Sequence, residues 1–169
     1  MKFLLSAAHV FDRINEIAGR FASYFTALLV VLICIDVFAR YFFDTTYIWV
    51  LDLEKYFFAM IFFLGAGYAF REDKHVRVDV FYANGTPKQK AWVNLSGGVL
   101  FLLPWCVVVL QVAFRYANYS LAINESSAQQ GGLPYLFILK FIIFIGFLLL
   151  TLQAISSIIR SLAVIRNVE

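Results

Sequence analysis

The sequence predicts an all-α integral membrane protein with four transmembrane helices, and three observations support that prediction. First, the 169 residues are 62% hydrophobic and only 15% charged, whereas soluble domains are nearer half apolar and a quarter charged. A soluble chain of this length could not bury so much apolar surface in one core. Second, the sequence contains four apolar runs, each close to the ~20 residues that a spanning helix needs. Third, Lys and Arg are unevenly distributed among the segments between these runs, which is typical of a membrane protein with a defined orientation.

The four predicted spans form a single domain that covers residues 1–169. Each span is a run of mostly apolar residues, and the second is the shortest. The spans are residues 21–43, 53–70, 92–114 and 133–159. Ahead of the first span, residues 11–25 are predicted to form an amphipathic interfacial helix that leads into the membrane.

Local signals predict where two helices begin and where one bends. Thr86 is a suitable N-cap and Pro87 suits a first helical turn, so a helix is expected to start there. The run Gly131–Pro134 predicts that the fourth span opens in the same way. Pro104 lies inside the third span, where proline kinks a helix.

The distribution of Lys and Arg predicts that both termini are cytoplasmic. Cytoplasmic segments of membrane proteins carry an excess of these cations. Most of the 14 cations fall in the N-terminal segment, in the loop after the second span and in the C-terminal tail. These are Lys2, Arg13, Arg20, Arg71, Lys74, Arg77, Lys88, Lys90, Arg160 and Arg166. The others, near the opposite face, are Arg40, Lys55, Arg115 and Lys140.

Asp36 and Arg40 lie one helical turn apart on one face of the first span. Ionisable residues inside a membrane are costly and often mark functional sites. Arg40 is about 5 Å by helical rise from the end of the span, so its side chain can reach the headgroups. Two interpretations stay open: a structural pair or subunit contact, and a direct role in translocation.

Lys140 lies about two turns into the fourth span. Its expected contacts are a lipid headgroup, Glu125, or a carboxylate of a partner. Glu125 belongs with Ser126 and Ser127 to a polar loop, for which a surface position is the default.

The polar loop at residues 71–80 offers the richest set of reactive side chains, but it lacks the residues of an enzyme. His75 and Asp79 could form a base–carboxylate pair, yet no nucleophile accompanies them. The alternation in Val76–Val80 is typical of a strand, although a short interfacial segment fits equally well. His9 and His75 lie outside the spans, so haem ligation is not expected. Without metal-ligand spacing, a CxxC pair or a polybasic run, we expect no cofactor, no metal and no nucleic-acid partner.

Two further features of the spans are interpreted as packing positions. Small residues inside a span allow helices to approach closely. These residues are Gly65, Ala66, Gly67, Ser96, Gly97, Gly98 and Gly146. Trp105 lies in the middle of the third span and is expected to pack against a helix or another subunit.

Three motifs between residues 49 and 80 resemble a known family. The sequence reads Trp-Val-Leu-Asp-Leu-Glu-Lys-Tyr from Trp49, Leu-Gly-Ala-Gly-Tyr-Ala-Phe-Arg from Leu64, and His-Val-Arg-Val-Asp-Val from His75. These motifs are similar to those of the small membrane subunit of tripartite ATP-independent periplasmic (TRAP) transporters, the DctQ family. Arg40 matches the arginine that this family places at the end of the first span.

The sequence departs from the family pattern at the acidic pair after Trp49. The pair is reduced to Asp52, with Leu51 at the other position, and Glu54 stands where a small residue is more usual. The family resemblance therefore leaves the class of substrate open.

The resemblance implies a non-enzymatic, multi-pass subunit of the bacterial inner membrane. Such a subunit pairs with a large membrane subunit that carries the sodium and substrate sites, while a periplasmic binding protein delivers the substrate, commonly an organic acid. The small subunit is implied to widen the static scaffold, among membrane lipids, and to help dock the binding protein. Candidate contacts with the large subunit or the scaffold are Asp36, Arg40, Trp49, Asp52, Lys55, His75, Arg77, Asp79 and Lys140. Candidate contacts with the binding protein are Asp44, Glu125, Gln129 and Gln130.

The alternative is a self-sufficient, proton-coupled four-span exporter that uses Asp36. A coupling carboxylate is expected near the middle of the membrane without a permanent cation beside it. Arg40, one turn away, argues against this alternative.

Overall fold

The computed structural model describes residues 2–72 and 85–166, and every regular element within those ranges is helical. Two short π-helical segments, Met60–Leu64 and Gly98–Leu102, join α-helices end to end. The α-helices are α1 (Lys2–Phe43), α2 (Ile48–Ala59), α3 (Gly65–Arg71), α4 (Pro87–Gly97), α5 (Leu103–Ala122) and α6 (Phe137–Ile165).

These elements build four long helices, which confirms the predicted membrane fold. Three of them, Lys2–Phe43, Pro87–Ala122 and Phe137–Ile165, are long and apolar enough to cross a bilayer. The fourth, residues 48–71, consists of α2, the first π segment and α3. Large apolar side chains are exposed along all four, as is expected where hydrocarbon is the solvent.

Helix α6 lies at the centre of the bundle. It packs against every other α-helix, and a larger share of its most apolar stretch is buried than in the first or third long helix. Helix α6 runs antiparallel to α1, because Asp12 contacts Gln153 and the earlier Ala8 contacts the later Ser156. It also runs antiparallel to the third long helix, because Gly98 contacts Ile158 and the later Phe114 contacts the earlier Phe144. The bundle therefore has one end where α1 begins and α6 ends, and an opposite end formed by the connections at residues 44–47 and 123–136. We call these the terminal end and the loop end.

Helix α1 continues without a break from the predicted amphipathic segment into the first span. Its 42 residues correspond to about 63 Å. From Ala8 to Ala22 its buried residues are spaced three or four positions apart, and this narrow stripe belongs to a helix that packs against α3 and α6. The complete set of buried residues is Ala8, Asp12, Asn15, Gly19, Ala22 and, further along, Asp36. The N-terminal part of α1 is thus part of the bundle.

The third long helix begins at the predicted residue. Thr86 Oγ1 accepts a hydrogen bond from the Gln89 N–H at 3.3 Å, and the Gln89 side chain accepts one from the Thr86 N–H at 2.8 Å. This reciprocal capping box satisfies backbone donors that a helix start leaves free. Further along, the segment Gly98–Leu102 is π-helical just before Pro104. Proline lacks an N–H and crowds the preceding turn, so the wider turn accommodates it.

The fourth long helix begins at Phe137, four residues after the predicted start at residue 133. The Leu133 N–H donates to a side chain of α2, and Ser127 N–H donates to the Leu133 carbonyl at 3.1 Å. Tyr135 has a φ of 70°, which no α-helix contains. The Gly-Gly-Leu-Pro run therefore closes a loop and does not open the helix.

The small residues divide into two groups. Gly146 approaches the backbone of Phe63, and Gly67 approaches Asn15, so a side chain at either position would collide. No described atom lies within 4 Å of a Cβ placed at Gly65 or Gly97. The packing interpretation is confirmed for the first pair, while nothing within the described part of the chain packs on the second.

Candidate functional site

Charged side chains are absent from the middle of all four long helices. No Asp, Glu, Lys, Arg or His occurs in these stretches. They are residues 21–35, 56–70, 91–114 and 141–159. Among the described residues, the buried charged side chains consequently lie towards the terminal end or the loop end.

Asp52, at the loop end, holds the connection before α6. Its side chain is buried and accepts hydrogen bonds from Lys55 Nζ at 3.0 Å and from the Leu133 N–H at 3.1 Å. The Ser127 side chain donates a further hydrogen bond to this carboxylate. Gly132 is required beside it, because a Cβ there would strike Ser127 and the Asp52 carboxylate. Asp52 therefore acts as a latch between α2 and the loop.

Glu125 and Lys140 form a second loop-end contact. Lys140 Nζ lies 2.5 Å from Glu125 Oε2 and 3.5 Å from the centre of the Tyr116 ring, which places a cation against the ring face. The Lys140 side chain is 5% accessible and that of Glu125 is 29% accessible. The hydrogen bond from Lys140 is the main cause that lowers the pKa of Glu125. Of the contacts expected for Lys140, the structure contains the one with Glu125.

Asp36 and Arg40 are paired as their spacing predicts. Arg40 donates to Asp36 Oδ2 at 2.5 Å, and the Asp36 side chain is buried while that of Arg40 is half exposed. Glu54 on α2 lies close enough to interact electrostatically with both. Its Oε1 atom is buried and has no hydrogen-bond partner among the described residues.

A cluster at the terminal end was not predicted from the sequence. The buried Asp12 side chain on α1 accepts hydrogen bonds from Gln153 at 2.8 Å and from Ser156 at 2.6 Å, and it is ion-paired with Arg160. Ser156 Oγ also lies 3.2 Å from the Ala8 carbonyl. The sequence does contain a pattern that could have indicated this cluster, because Gln153, Ser156 and Arg160 are spaced three and four residues apart and form a polar stripe on α6.

The remaining predicted residues fall into exposed and undescribed groups. Trp49 and Lys55 on α2 are exposed, as is Trp105 on the third helix. Asp44, Gln129 and Gln130 are exposed at the loop end. His75, Arg77 and Asp79, together with the Val76–Val80 alternation, lie outside the described residues.

The fold and its polar clusters define a class: a multi-pass helical membrane protein with no charged side chain in the middle of its spans. The family model of the DctQ component of tripartite ATP-independent periplasmic transporters matches residues 29–164, and the chain belongs to this family. It is therefore a small membrane component of such a transporter and belongs to a family of transporter subunits, not of enzymes. No curated protein and no solved structure gives a significant match.

Proposed function

We propose that this chain is an accessory scaffold subunit that pairs with a large, elevator-type membrane subunit and does not itself bind the transported solute. The observation that carries the proposal is the lack of charged residues in the middle of every long helix. Charged substrates and coupling ions need polar partners near the midplane of a secondary transporter. In the complete transporter, we propose that the large subunit supplies those partners for a sodium-driven uptake of an organic acid.

The buried charges support the scaffold role. Within the described part of the chain, each buried charged side chain already has an ion partner: Asp12 with Arg160, Asp36 with Arg40, Asp52 with Lys55, and Lys140 with Glu125. Such pairs position helices and loops, and removing one partner leaves the other desolvated. A transport site would instead need groups that are available to a ligand.

The face formed by α1 and α2 is our candidate for contact with the large subunit. Asp36, Arg40 and Glu54 meet there beside the exposed Lys55. An open cavity of about 510 Å³ next to them is lined by apolar side chains, including Leu29, Ile33, Leu51 and Phe58. Apolar surface with a few convergent polar groups suits a stable contact between membrane subunits.

The loop end is our candidate dock for the periplasmic binding protein. Gln129 and Gln130 are exposed beyond the Asp52 latch, and Asp44 is exposed on the neighbouring connection. Polar loops on a rigid scaffold commonly carry recognition. Glu125, which the sequence also suggested, is turned towards Lys140, so we assign it to holding the loop.

Reconstitution into vesicles tests this proposal. The chain alone should give no uptake with or without a sodium gradient, whereas the chain with the large subunit and the binding protein should give sodium-dependent uptake of an organic acid. Sodium-driven or proton-driven transport by the purified chain alone would contradict the accessory role.

Asp36→Asn separates the scaffold from the exporter alternative. For a scaffold, Asp36→Asn weakens co-purification with the large subunit, because Arg40 loses its charged partner, and uptake falls in proportion to the complex that remains. An exporter that couples through Asp36 would instead assemble normally and lose all ion dependence.

A further inference from the structure

A basic groove opens at the terminal end, between α1, α3 and α6. It encloses about 620 Å³ and is lined by four arginines and two carboxylates. These are Arg13, Arg20, Arg71, Arg160, Asp12 and Glu16. Four positive and two negative charges leave a net charge of +2, before His9 at its edge is counted.

The carboxylates of the groove do not neutralise its arginines. Glu16 is shared, because it pairs both with Arg20 and with Arg71 Nη1 at 3.1 Å. Asp12 is used by Arg160 and by two neutral donors of α6. Arg13 and Arg20 are exposed, so both guanidinium groups are accessible to a ligand outside the bundle.

The same face of α1 becomes apolar towards the middle of the membrane. Phe21, Tyr24 and Leu28 lie beyond both exposed arginines, Ile17 lies between the two, and each of these four side chains is more than half exposed. Arg13, Ile17, Phe21, Tyr24 and Leu28 follow one another at spacings of three or four residues, and Arg20 is four residues before Tyr24. Residues at these spacings share one side of a helix. This stripe thus carries its cations between residues 13 and 20 and is continuously apolar from Phe21 to Leu28.

We infer that this groove binds the anionic headgroup of a phospholipid, with its acyl chains along the apolar stripe of α1. Guanidinium groups bind phosphate oxygens through paired N–H donors. Basic pockets between transmembrane helices at the membrane surface bind anionic lipid headgroups. The net charge of the groove matches a headgroup with one or two phosphates, and the stripe matches the tails.

The stripe favours a lipid over a soluble phosphate ester. A soluble ester would use the arginines but would gain nothing from Ile17, Phe21, Tyr24 and Leu28. A lipid satisfies both parts of the surface, because burying apolar area and pairing charge contribute together at a membrane interface.

The test uses the full-length chain in a neutral detergent. Phosphatidylglycerol, phosphatidylcholine or glycerol 1-phosphate is added, and retained lipid is counted by native mass spectrometry beside the melting temperature. Phosphatidylglycerol should be retained and should raise the melting temperature, whereas the other two should do neither. If the unmodified chain retains phosphatidylcholine as well as phosphatidylglycerol, the inference is overturned. If glycerol 1-phosphate raises the melting temperature as much as phosphatidylglycerol does, the groove binds a soluble anion instead.

A pair of double variants then locates the site. Arg13→Gln with Arg20→Gln should weaken phosphatidylglycerol binding by about fivefold for each arginine removed, while Arg13→Lys with Arg20→Lys should retain most of it. Arg115→Gln with Arg166→Gln removes the same charge from exposed positions outside the groove and should change nothing. Equal losses in the two glutamine variants would contradict a specific site. If the Arg13→Gln, Arg20→Gln variant keeps its preference for phosphatidylglycerol but no longer co-purifies with the large subunit, the groove is a protein contact and the inference is wrong.

Discussion

Asp52 fixes a loop that lies 81 positions further along the chain. The Asp52 side chain is buried, so its hydrogen bond with the Leu133 N–H satisfies two polar groups at once. Its contact with Lys55 is different, because the lysine side chain is 59% accessible, and exposed ion pairs contribute little. The latch should therefore depend on the carboxylate more than on the salt bridge.

Asp52→Ala should lower the free energy of unfolding by about 1–3 kcal/mol, because it leaves the Leu133 N–H unsatisfied. Lys55→Gln is the matched control and should cost less than about 1 kcal/mol. Unfolding in detergent gives the free energies, and hydrogen exchange at residues 127–133 reports the loop. Equal costs for the two changes, or unchanged exchange in Asp52→Ala, would rule out the latch.

Glu125 should make the stability of the loop end depend on pH. Its pKa is lowered in the folded chain from an ordinary value of 4.5, so the stabilisation is present above that pH and is lost as pH falls through the folded-state pKa. Glu125→Gln should be less stable than the unmodified chain near pH 7, because buried Lys140 loses its anion. The difference in melting temperature should begin to shrink below about pH 4.5 and close as the pH falls through the lower, folded-state pKa.

The control for this pH series is Glu72→Gln, since among the described residues the Glu72 carboxylate pairs with Arg71 at 3.8 Å, at the other end of the bundle. Its melting curve should run parallel to that of the unmodified chain at every pH. A Glu125→Gln difference that stays constant as the pH falls from 7 to well below 4.5 would exclude the ionic contact with Lys140 as its cause.

Sequence spacing predicted the partners only where they were local. Asp36 and Arg40 share a turn of one helix, so the sequence alone identified the pair. By contrast, Leu133, which donates to Asp52, is 81 positions away, and Gln153, which donates to Asp12, is 141 positions away. Only the packing of the helices brings these groups together. Lys140 lies between these cases, because Glu125 is 15 residues away and was one of three contacts expected.

At the scale of the helices, the sequence predicted a helix start correctly where the capping side chains are close to it in sequence. The capping box at Thr86 is such a start. The Gly131–Pro134 run uses similar residue types, but Asp52 and Ser127 compete for its backbone groups, and the helix begins later. The same limit applies to glycine, since the sequence cannot tell which of the small residues faces another helix.

Gly146→Ala and Gly97→Ala should therefore have opposite effects. A methyl group at Gly146 would meet backbone atoms of Phe63, so we expect a loss of about 1–3 kcal/mol. Gly97 has open space, and alanine inside a helix should add about 0.5–1 kcal/mol to the stability of the isolated chain. Unfolding free energies of both variants provide the check, and a stabilising Gly146→Ala would contradict the packing of α6 on the first π segment.

At the scale of the whole molecule, the bundle separates its cations by end. Arg71 and Arg160 lie at the terminal end, and Arg40, Lys55 and Lys140 at the loop end. The sequence predicted the four spans and this separation, because hydrophobic length and charge distribution are properties of the chain itself. The central position of α6 was not predictable, since all four spans are similarly apolar.

Reporter fusions test the predicted orientation. A reporter fused after Glu169 should be active in the cytoplasm, and one inserted within residues 124–132 should be active in the periplasm, because the cation excess lies at the terminal end. A periplasmic C-terminus would contradict both the orientation and the proposed dock at the loop end.

The central position of α6 also has a consequence for biosynthesis. Helix α6 leaves the ribosome after α1 to α5, and it or the loop before it supplies partners of Asp12, Asp52 and Glu125. A nascent chain with three long helices inserted therefore holds these carboxylates without those partners, and the earlier helices lack the surface on which they pack. The bundle can therefore assemble only once α6 has been synthesised.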